Sequence, residues 1–109
     1  MKLPPDKVLE RVRKLCLSYP KSNETSAWGH PNFRAGKKAF VTFERWEERP
    51  SIAFRTQDAG KEILRPGGEF FKTPYGRGQW MSLWIDRPIP AWKVIEELID
   101  ESYRLVAPK

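Results

Sequence analysis

The stretch KAFVTFERW at residues 38–46, followed after a short turn by SIAFR at 51–55, decides the fold. Aromatic and β-branched residues dominate both runs, which is typical of β-strands. The intervening residues 47–50, EERP, are charged and end in a proline, so they favour a solvated turn. The two runs therefore predict two strands of a sheet with a turn between them.

The same signals extend the sheet in both directions along the chain. Three further strands are predicted at residues 25–28, 32–35 and 80–85. Gly36 supplies a tight hairpin turn between the second of these runs and residues 38–46. A short helix capped by Asp58 is predicted over 58–64, whereas 21–24 is predicted to be a polar connection and 70–78 a partly extended loop.

A helix is predicted at each end of the chain. Near the N-terminus, apolar residues recur at helical spacing, and the helix is expected to begin at Pro4-Pro5-Asp6 and to end at Tyr19-Pro20. Residues 91–105 show the same spacing. The order of helix, strands and helix predicts an α+β fold in which an antiparallel sheet is flanked on one face by the N- and C-terminal helices.

Alternation along the strands sorts the side chains onto two faces of the sheet. The helices are expected to cover the face that contains Ile52 and Phe54 together with Met81, Leu83 and Ile85. The opposite face is predicted to carry Phe40, Trp46, Trp80 and Trp84 beside Arg55. Such a face suits base stacking and phosphate contact. It also suits a second small core beneath the 66–79 loop, which is the default because loops often cover satellite apolar clusters.

Length and charge limit the functions to consider. The chain has 109 residues, so a single domain over residues 1–109 is expected. Twenty basic residues against fourteen acidic ones give a net charge of +6 at pH 7, and a positive domain attracts polyanions such as nucleic acid. A solvated basic surface without a partner is the plainer alternative.

The remaining composition excludes several classes of protein. One cysteine and one histidine are too few for the usual zinc clusters, and no metal or cofactor is expected. Cys16, on the apolar side of the first helix, is predicted to be a buried core residue. The sequence shows neither a membrane span nor a signal-peptide stretch, so a cytoplasmic protein without a membrane partner is predicted.

Two motifs stand out without establishing chemistry. WGHP at 28–31 combines an aromatic ring, a flexible glycine and His30, which could serve as a base or an anion contact. A lone histidine at a turn is more often structural, because base catalysis needs a partner held nearby. YGRGQW at 75–80 brings Arg77 between two glycines, yet it lacks the spacing of a phosphate-binding loop. No catalytic residue is predicted.

These motifs carry a family resemblance that spans nearly the whole chain. It rests on WGHP at 28–31, FR at 33–34, GKKAF at 36–40, IAFR at 52–55, Leu64, YGRGQW at 75–80 and ESYRLVA at 101–107. In this order they resemble the MmcQ/YjbR family of small bacterial proteins. The resemblance implies a frataxin-like or double-wing fold and DNA binding. Arg55 stands where the family usually has lysine, and Gln79 where glycine is common.

Charge, aromatic neighbours and the resemblance together predict a DNA-binding protein that contacts mainly backbone phosphates. The predicted contacts are Lys37, Lys38, Arg55, Lys72, Arg77 and Trp80. The alternative is a cleft for a small anionic ligand, formed by Trp28, His30, Arg55, Tyr75 and Arg77. A third possibility is a protein-interaction module that uses the tryptophan face. A monomer or weak dimer is expected.

Overall fold

The computed structural model describes residues 4–66, 69–89 and 91–107. Within these ranges the chain forms the helices α1 (Pro5–Leu17), α2 (Ala59–Glu62) and α3 (Trp92–Val106). The strands are β1 (Ser22–Ala27), β2 (His30–Ala35), β3 (Lys38–Trp46), β4 (Arg49–Arg55), β5 (Phe70–Lys72) and β6 (Trp80–Trp84). They make one antiparallel sheet in the order β1-β2-β3-β4-β6-β5, which confirms the predicted α+β fold.

Helices α1 and α3 pack on one face of this sheet, here called the inner face. Val41 pairs with Phe54 and Phe43 with Ile52, and the row continues to β6 through Met81. The helices contribute apolar side chains that are fully or almost fully buried: Val8, Val12, Cys16, Ile95, Leu98 and Ile99. The predicted covered face and the predicted burial of Cys16 are both confirmed.

The strand prediction missed parts of both sheet edges. Strand β1 begins at Ser22, inside the segment expected to be a polar connection, and ends at Ala27 rather than at Trp28. Its side chains are almost all exposed, so no apolar alternation marks it; backbone pairing with β2 alone makes it a strand. At the other edge, Phe70–Lys72 pairs with β6 although a loop was expected there.

Phe40 lies on the inner face, and the predicted position beside the tryptophans is wrong. The register between β2 and β3 shifts after the pair of Phe33 and Val41, because Ala39 is the next partner, opposite Arg34. Phe40 is thus the extra residue of a β-bulge, which breaks strict alternation. Its ring is fully buried and makes edge contacts with both Tyr19 and Tyr103.

Hydrogen bonds hold α2 and α3 in place. The Asp58 side chain accepts a hydrogen bond from the Lys61 backbone N–H at 3.3 Å, as predicted for the cap of α2. Ser102 Oγ donates to the backbone oxygen of Arg55 at 2.7 Å, and Tyr103 donates to Pro20 O at 2.6 Å. The C-terminal turn of α3 is therefore fixed to the end of β4. No helix within the described ranges is long and apolar enough to cross a membrane.

Candidate functional site

The sheet face opposite the helices, here called the outer face, is a second small core. Trp46, Trp80 and Trp84 lie on it with Arg55, in agreement with the alternation of β3, β4 and β6. Trp80 is only 7 % exposed, which agrees with the default expectation of a second small core, and its prediction as an open ring that contacts nucleic acid is wrong. Tyr75 covers Trp46 with ring centroids 6.0 Å apart. The outer face is therefore not an open platform for stacking bases.

The connection at 73–79 closes over this face because it is tied to β6. Thr73 N donates to Trp80 O at 3.2 Å, and the hydroxyls of Thr73 and Ser82 lie 2.6 Å apart in the interior. Gly76 has φ +88°, and a Cβ at this position would lie 2.3 Å from Trp80 Cδ1. Only glycine combines this backbone conformation with so close an approach to the ring.

Two arginines lie over tryptophans on the outer face, and their surroundings differ. Arg49 Cζ is 3.9 Å from the centroid of Trp84, and its guanidinium makes two hydrogen bonds with Asp86, at 2.6 and 3.0 Å. Arg55 Cζ lies 4.8 Å from the centroid of Trp80, and Nε donates to Ala39 O at 2.8 Å. Burial lowers the pKa of Arg55, and no carboxylate within the described residues forms an ion pair with it.

Arg55 belongs to a group of five cations at one end of the sheet, here called the basic end. The group comprises Lys21, Arg34, Lys37, Lys38 and Arg55. The Gly36 N–H donates to Lys21 O at 3.4 Å, and an Arg34 Nη2 hydrogen bond to Lys37 O holds this side chain at the β2–β3 turn. In the part of the chain that the structure describes, none of the five forms a salt bridge.

Lys72 and Arg77 lie toward the other edge of the sheet. Lys72 pairs with Met81, so its side chain projects from the inner face of the sheet, and its Nζ lies near Gly60 of α2. Arg77 is exposed in the 73–79 connection, where its φ is +55°. Neither takes part in a salt bridge within the described ranges. The predicted phosphate-binding cations therefore lie without acidic partners around one end of the sheet.

Trp28 lies at the opposite end of the sheet and does not line a cleft. It occupies the turn between β1 and β2 with φ +56°, and its side chain is 97 % exposed. The turn between β3 and β4 is at the same end and exposes Glu47 and Glu48. Because Trp28 packs against almost nothing, the anionic-ligand cleft cannot include it in the predicted form.

His30 begins β2 directly after the turn that carries Trp28, and Glu44 lies near the same end of the sheet on β3. Burial raises the pKa of Glu44, although Thr42 Oγ1 donates to its carboxylate at 3.0 Å and the nearby His30 opposes the shift. Tyr75, another predicted cleft residue, contacts Trp46 instead of a cation-lined cavity. The half-buried carboxylate is a destabilising feature that a neutral amide would remove.

Replacing Glu44 with glutamine is expected to raise the melting temperature at pH 7. A carboxyl group with a raised folded-state pKa costs stability above that pKa, and the cost disappears below the unfolded value near 4.5. The gain should therefore shrink as the pH falls through the raised folded-state pKa and disappear below about 4.5. Thermal unfolding followed by circular dichroism at several pH values measures it. Glu47→Gln, on the exposed turn, is the control. An equal rise in its melting temperature would mean that the change in net charge, and not the burial of Glu44, causes the effect.

Comparison with a model of a protein family shows to which family this chain belongs. The model of the YjbR family matches residues 17–105. The chain belongs to the YjbR family. The match includes all six strands and nearly all of α3, and it begins at the last residue of α1. The family resemblance predicted from the sequence motifs is thereby confirmed.

The fold of this YjbR-family domain has also been seen in a crystal structure of a protein from Pseudomonas syringae. That structure superimposes with a TM-score of 0.70 at 16 % sequence identity, and the alignment covers 89 % of this chain and 97 % of the other. At this identity the likeness concerns the fold alone. No curated protein matches the chain.

Two residues of the basic end of this YjbR-family domain were missed by the sequence analysis. Arg34 was not among the predicted contacts, although alternation from the buried Phe33 and Ala35 places it on the outer face. Its position two residues before Gly36 could have suggested a place at the turn. Lys21 gives no such signal, because a hydrogen bond between distant loops brings it there.

Proposed function

We propose that this chain binds DNA through the basic end together with Lys72 and Arg77, mainly by contacts to backbone phosphates. The observation that carries the proposal is the absence of acidic partners at this end within the described residues. Elsewhere several arginines are neutralised by carboxylates, as in the pairs of Arg13 with Glu24 and Arg65 with Glu101. Uncompensated cations release counterions when they meet phosphates, and this release drives non-specific binding to DNA.

The dimensions of the sheet support this mode of binding. Six strands at a spacing of about 4.8 Å place the first and last roughly 24 Å apart. Lys21 and Arg34 lie toward β1, whereas Lys72 and Arg77 lie toward β5. This separation exceeds the roughly 12 Å width of the major groove, so the cations can contact phosphates on both sides of it.

Other surfaces favour one orientation and disfavour base reading. The outer side of α3 carries Glu96 and Glu97, which form no salt bridge within the described residues and repel a phosphate backbone. The buried ring of Trp80 serves as the floor beneath Arg55 and is not open to bases. Because phosphate contacts carry no direct sequence information, we expect weak sequence preference.

The salt dependence of binding to a labelled duplex tests the proposal. Neutralisation of three to five phosphates predicts a slope of log K against log salt of roughly −3 to −4.5. Removing two of the contacts with Lys37→Ala/Lys38→Ala should make the slope less negative by about 2 and weaken binding at low salt. Fluorescence anisotropy at several salt concentrations measures both quantities.

The matched control removes two lysines from the helices. Lys14 in α1 and Lys93 in α3 are exposed and form no salt bridge within the described residues, so Lys14→Ala/Lys93→Ala changes the net charge equally. We expect this variant to retain most of the slope. Saturable binding that ignores salt, or an equal loss in both variants, would contradict a contact surface at the basic end.

A further inference from the structure

Arg34 and Arg55 lie on the same face of the sheet, on either side of one residue of β3. Arg34 is the register partner of Ala39, and Arg55 Nε donates to the backbone oxygen of the same Ala39. The two arginines stand on β2 and β4, which are separated by β3, so their backbones are about 10 Å apart. Two long side chains at this separation can contact one small ligand between them.

Both guanidinium groups are fixed from one side and retain donors on the other. Arg55 is held by Ala39 O and by the ring of Trp80, which leaves the N–H groups of its two Nη atoms. Arg34 is held by the oxygen of Lys37 through Nη2, and its buried Nε has no hydrogen-bond partner among the described residues. A buried donor without a partner is costly and rare in folded proteins.

No carboxylate within the described residues pairs with either arginine. The outer-face carboxylate on β3 is that of Glu44, five residues beyond Ala39 along the strand. The β-bulge at Phe40 contributes to this arrangement, because it brings Ala39 opposite Arg34. Two adjacent positive charges thus lie without a neutralising group in a partly buried position.

We infer that Arg34 and Arg55 form a site for one phosphate group in the form of a monoester, such as the terminal phosphate of a nucleic-acid strand or a nucleotide. A monoester carries a charge of about −1.5 to −2 at pH 7, which neutralises two guanidinium groups, whereas a backbone diester has one negative charge. The planar fork of arginine matches phosphate oxygens with two parallel hydrogen bonds. The inference rests on the proposed function and adds to it a group that the site prefers.

The experiment compares two forms of the same single-stranded oligonucleotide, one with a 5′-phosphate and the other with a 5′-hydroxyl. We expect the phosphorylated strand to bind about tenfold more tightly, which corresponds to 1.4 kcal/mol and to a charge-assisted hydrogen bond. Arg34→Lys/Arg55→Lys retains both charges and removes the forks, so the ratio of the two affinities should fall to about twofold or less.

Three further variants show which residues cause a change in the two affinities or in their ratio. Arg45→Lys, on β3 but away from the basic end, should leave both affinities and their ratio unaltered. Lys37→Ala/Lys38→Ala should weaken both strands alike and leave the ratio high. If the double variant has a lower melting temperature than the unsubstituted chain, Arg34→Lys alone is used, because Arg34 does not lie over Trp80 as Arg55 does.

Nucleoside monophosphate is then added as a competitor, with the nucleoside as its control. Displacement by the monophosphate alone supports a site for any phosphomonoester, whereas a tenfold preference without displacement supports a site for the end of a strand. Equal affinity for the two strands, together with salt-dependent duplex binding, would overturn the inference and leave the proposed function standing. Binding of the monophosphate without duplex binding would contradict the proposed function and leave the phosphomonoester site standing.

Discussion

Replacing Phe40 with alanine is expected to lower the free energy of unfolding by about 3–5 kcal/mol. The ring is fully buried and makes edge contacts with Tyr19 and Tyr103, at centroid distances of 6.4 and 5.5 Å. Those two tyrosines stack on each other at 4.4 Å and connect the segment after α1 with α3. The substitution therefore leaves a cavity where three elements meet, and it removes favourable aromatic contacts as well.

Urea unfolding followed by circular dichroism measures this loss, and Leu64→Ala is the control because Leu64 is 80 % exposed. A second readout is specific to the site. Burial, assisted by a hydrogen bond to Asp100, raises the pKa of Tyr19 to about 12. Opening a cavity beside this ring should lower that pKa in a spectroscopic alkaline titration. A loss below 1 kcal/mol would show that Phe40 does not close the core.

Replacing Gly76 with alanine is the second change with a large expected effect, about 2–5 kcal/mol of lost stability. The left-handed backbone at φ +88° costs about 1–2 kcal/mol for a residue with a Cβ. The new Cβ would lie 2.3 Å from Trp80 Cδ1, so the ring or the connection must shift, at a further cost of about 1–3 kcal/mol. Because Arg55 lies over Trp80, the displacement should also weaken the proposed binding of phosphate.

Gly78→Ala separates the two contributions. Gly78 also has a left-handed backbone, with φ +77°, but a Cβ there would meet nothing within 4 Å. We expect this variant to lose only the backbone contribution of about 1–2 kcal/mol. Thermal unfolding compares the two variants, and tryptophan fluorescence should change more in Gly76→Ala. Equal losses would mean that the contact with Trp80 does not determine the conformation of the connection.

The central part of the fold could be predicted from the sequence because its patterns are local. The hairpin of β3 and β4, the turn at Gly36, the cap at Asp58 and the two long helices each follow from neighbouring residues. The inner face also follows, since alternation holds without interruption through β4 and β6. These features together suffice for the α+β class and for the position of Trp46, Trp80 and Trp84 on the outer face.

The exceptions arise where distant segments decide the conformation. Residues 22–24, at the start of β1, have the composition of a loop and form a strand only because β2 offers hydrogen-bonding groups to them. At the other edge of the sheet, Phe70–Lys72 is likewise a strand because it pairs with β6. The bulge at Phe40 leaves no sign in the alternation of β3, so only the register with β2 reveals it.

In the candidate site, too, some features could be predicted from the local sequence and others depend on the tertiary structure. Lys37 and Lys38 could be placed at a hairpin tip from Gly36 alone, and Arg55 on a strand from its own alternation. The convergence of Arg55 with Arg34 depends on the bulge, and the burial of Trp80 depends on the 73–79 connection. Proximity between strands and coverage by loops are properties of the tertiary structure, which single-strand patterns do not contain.

The contrast between the two ends of the sheet gives the molecule an electric dipole along its strands. Five cations without acidic partners lie at one end, whereas at the other the turn carries Glu47 and Glu48 and the pair of Arg49 with Asp86 is neutral. In the field of a polyanion such a molecule rotates before it makes contact. More collisions then begin in a productive orientation, so the dipole accelerates association without adding a single contact.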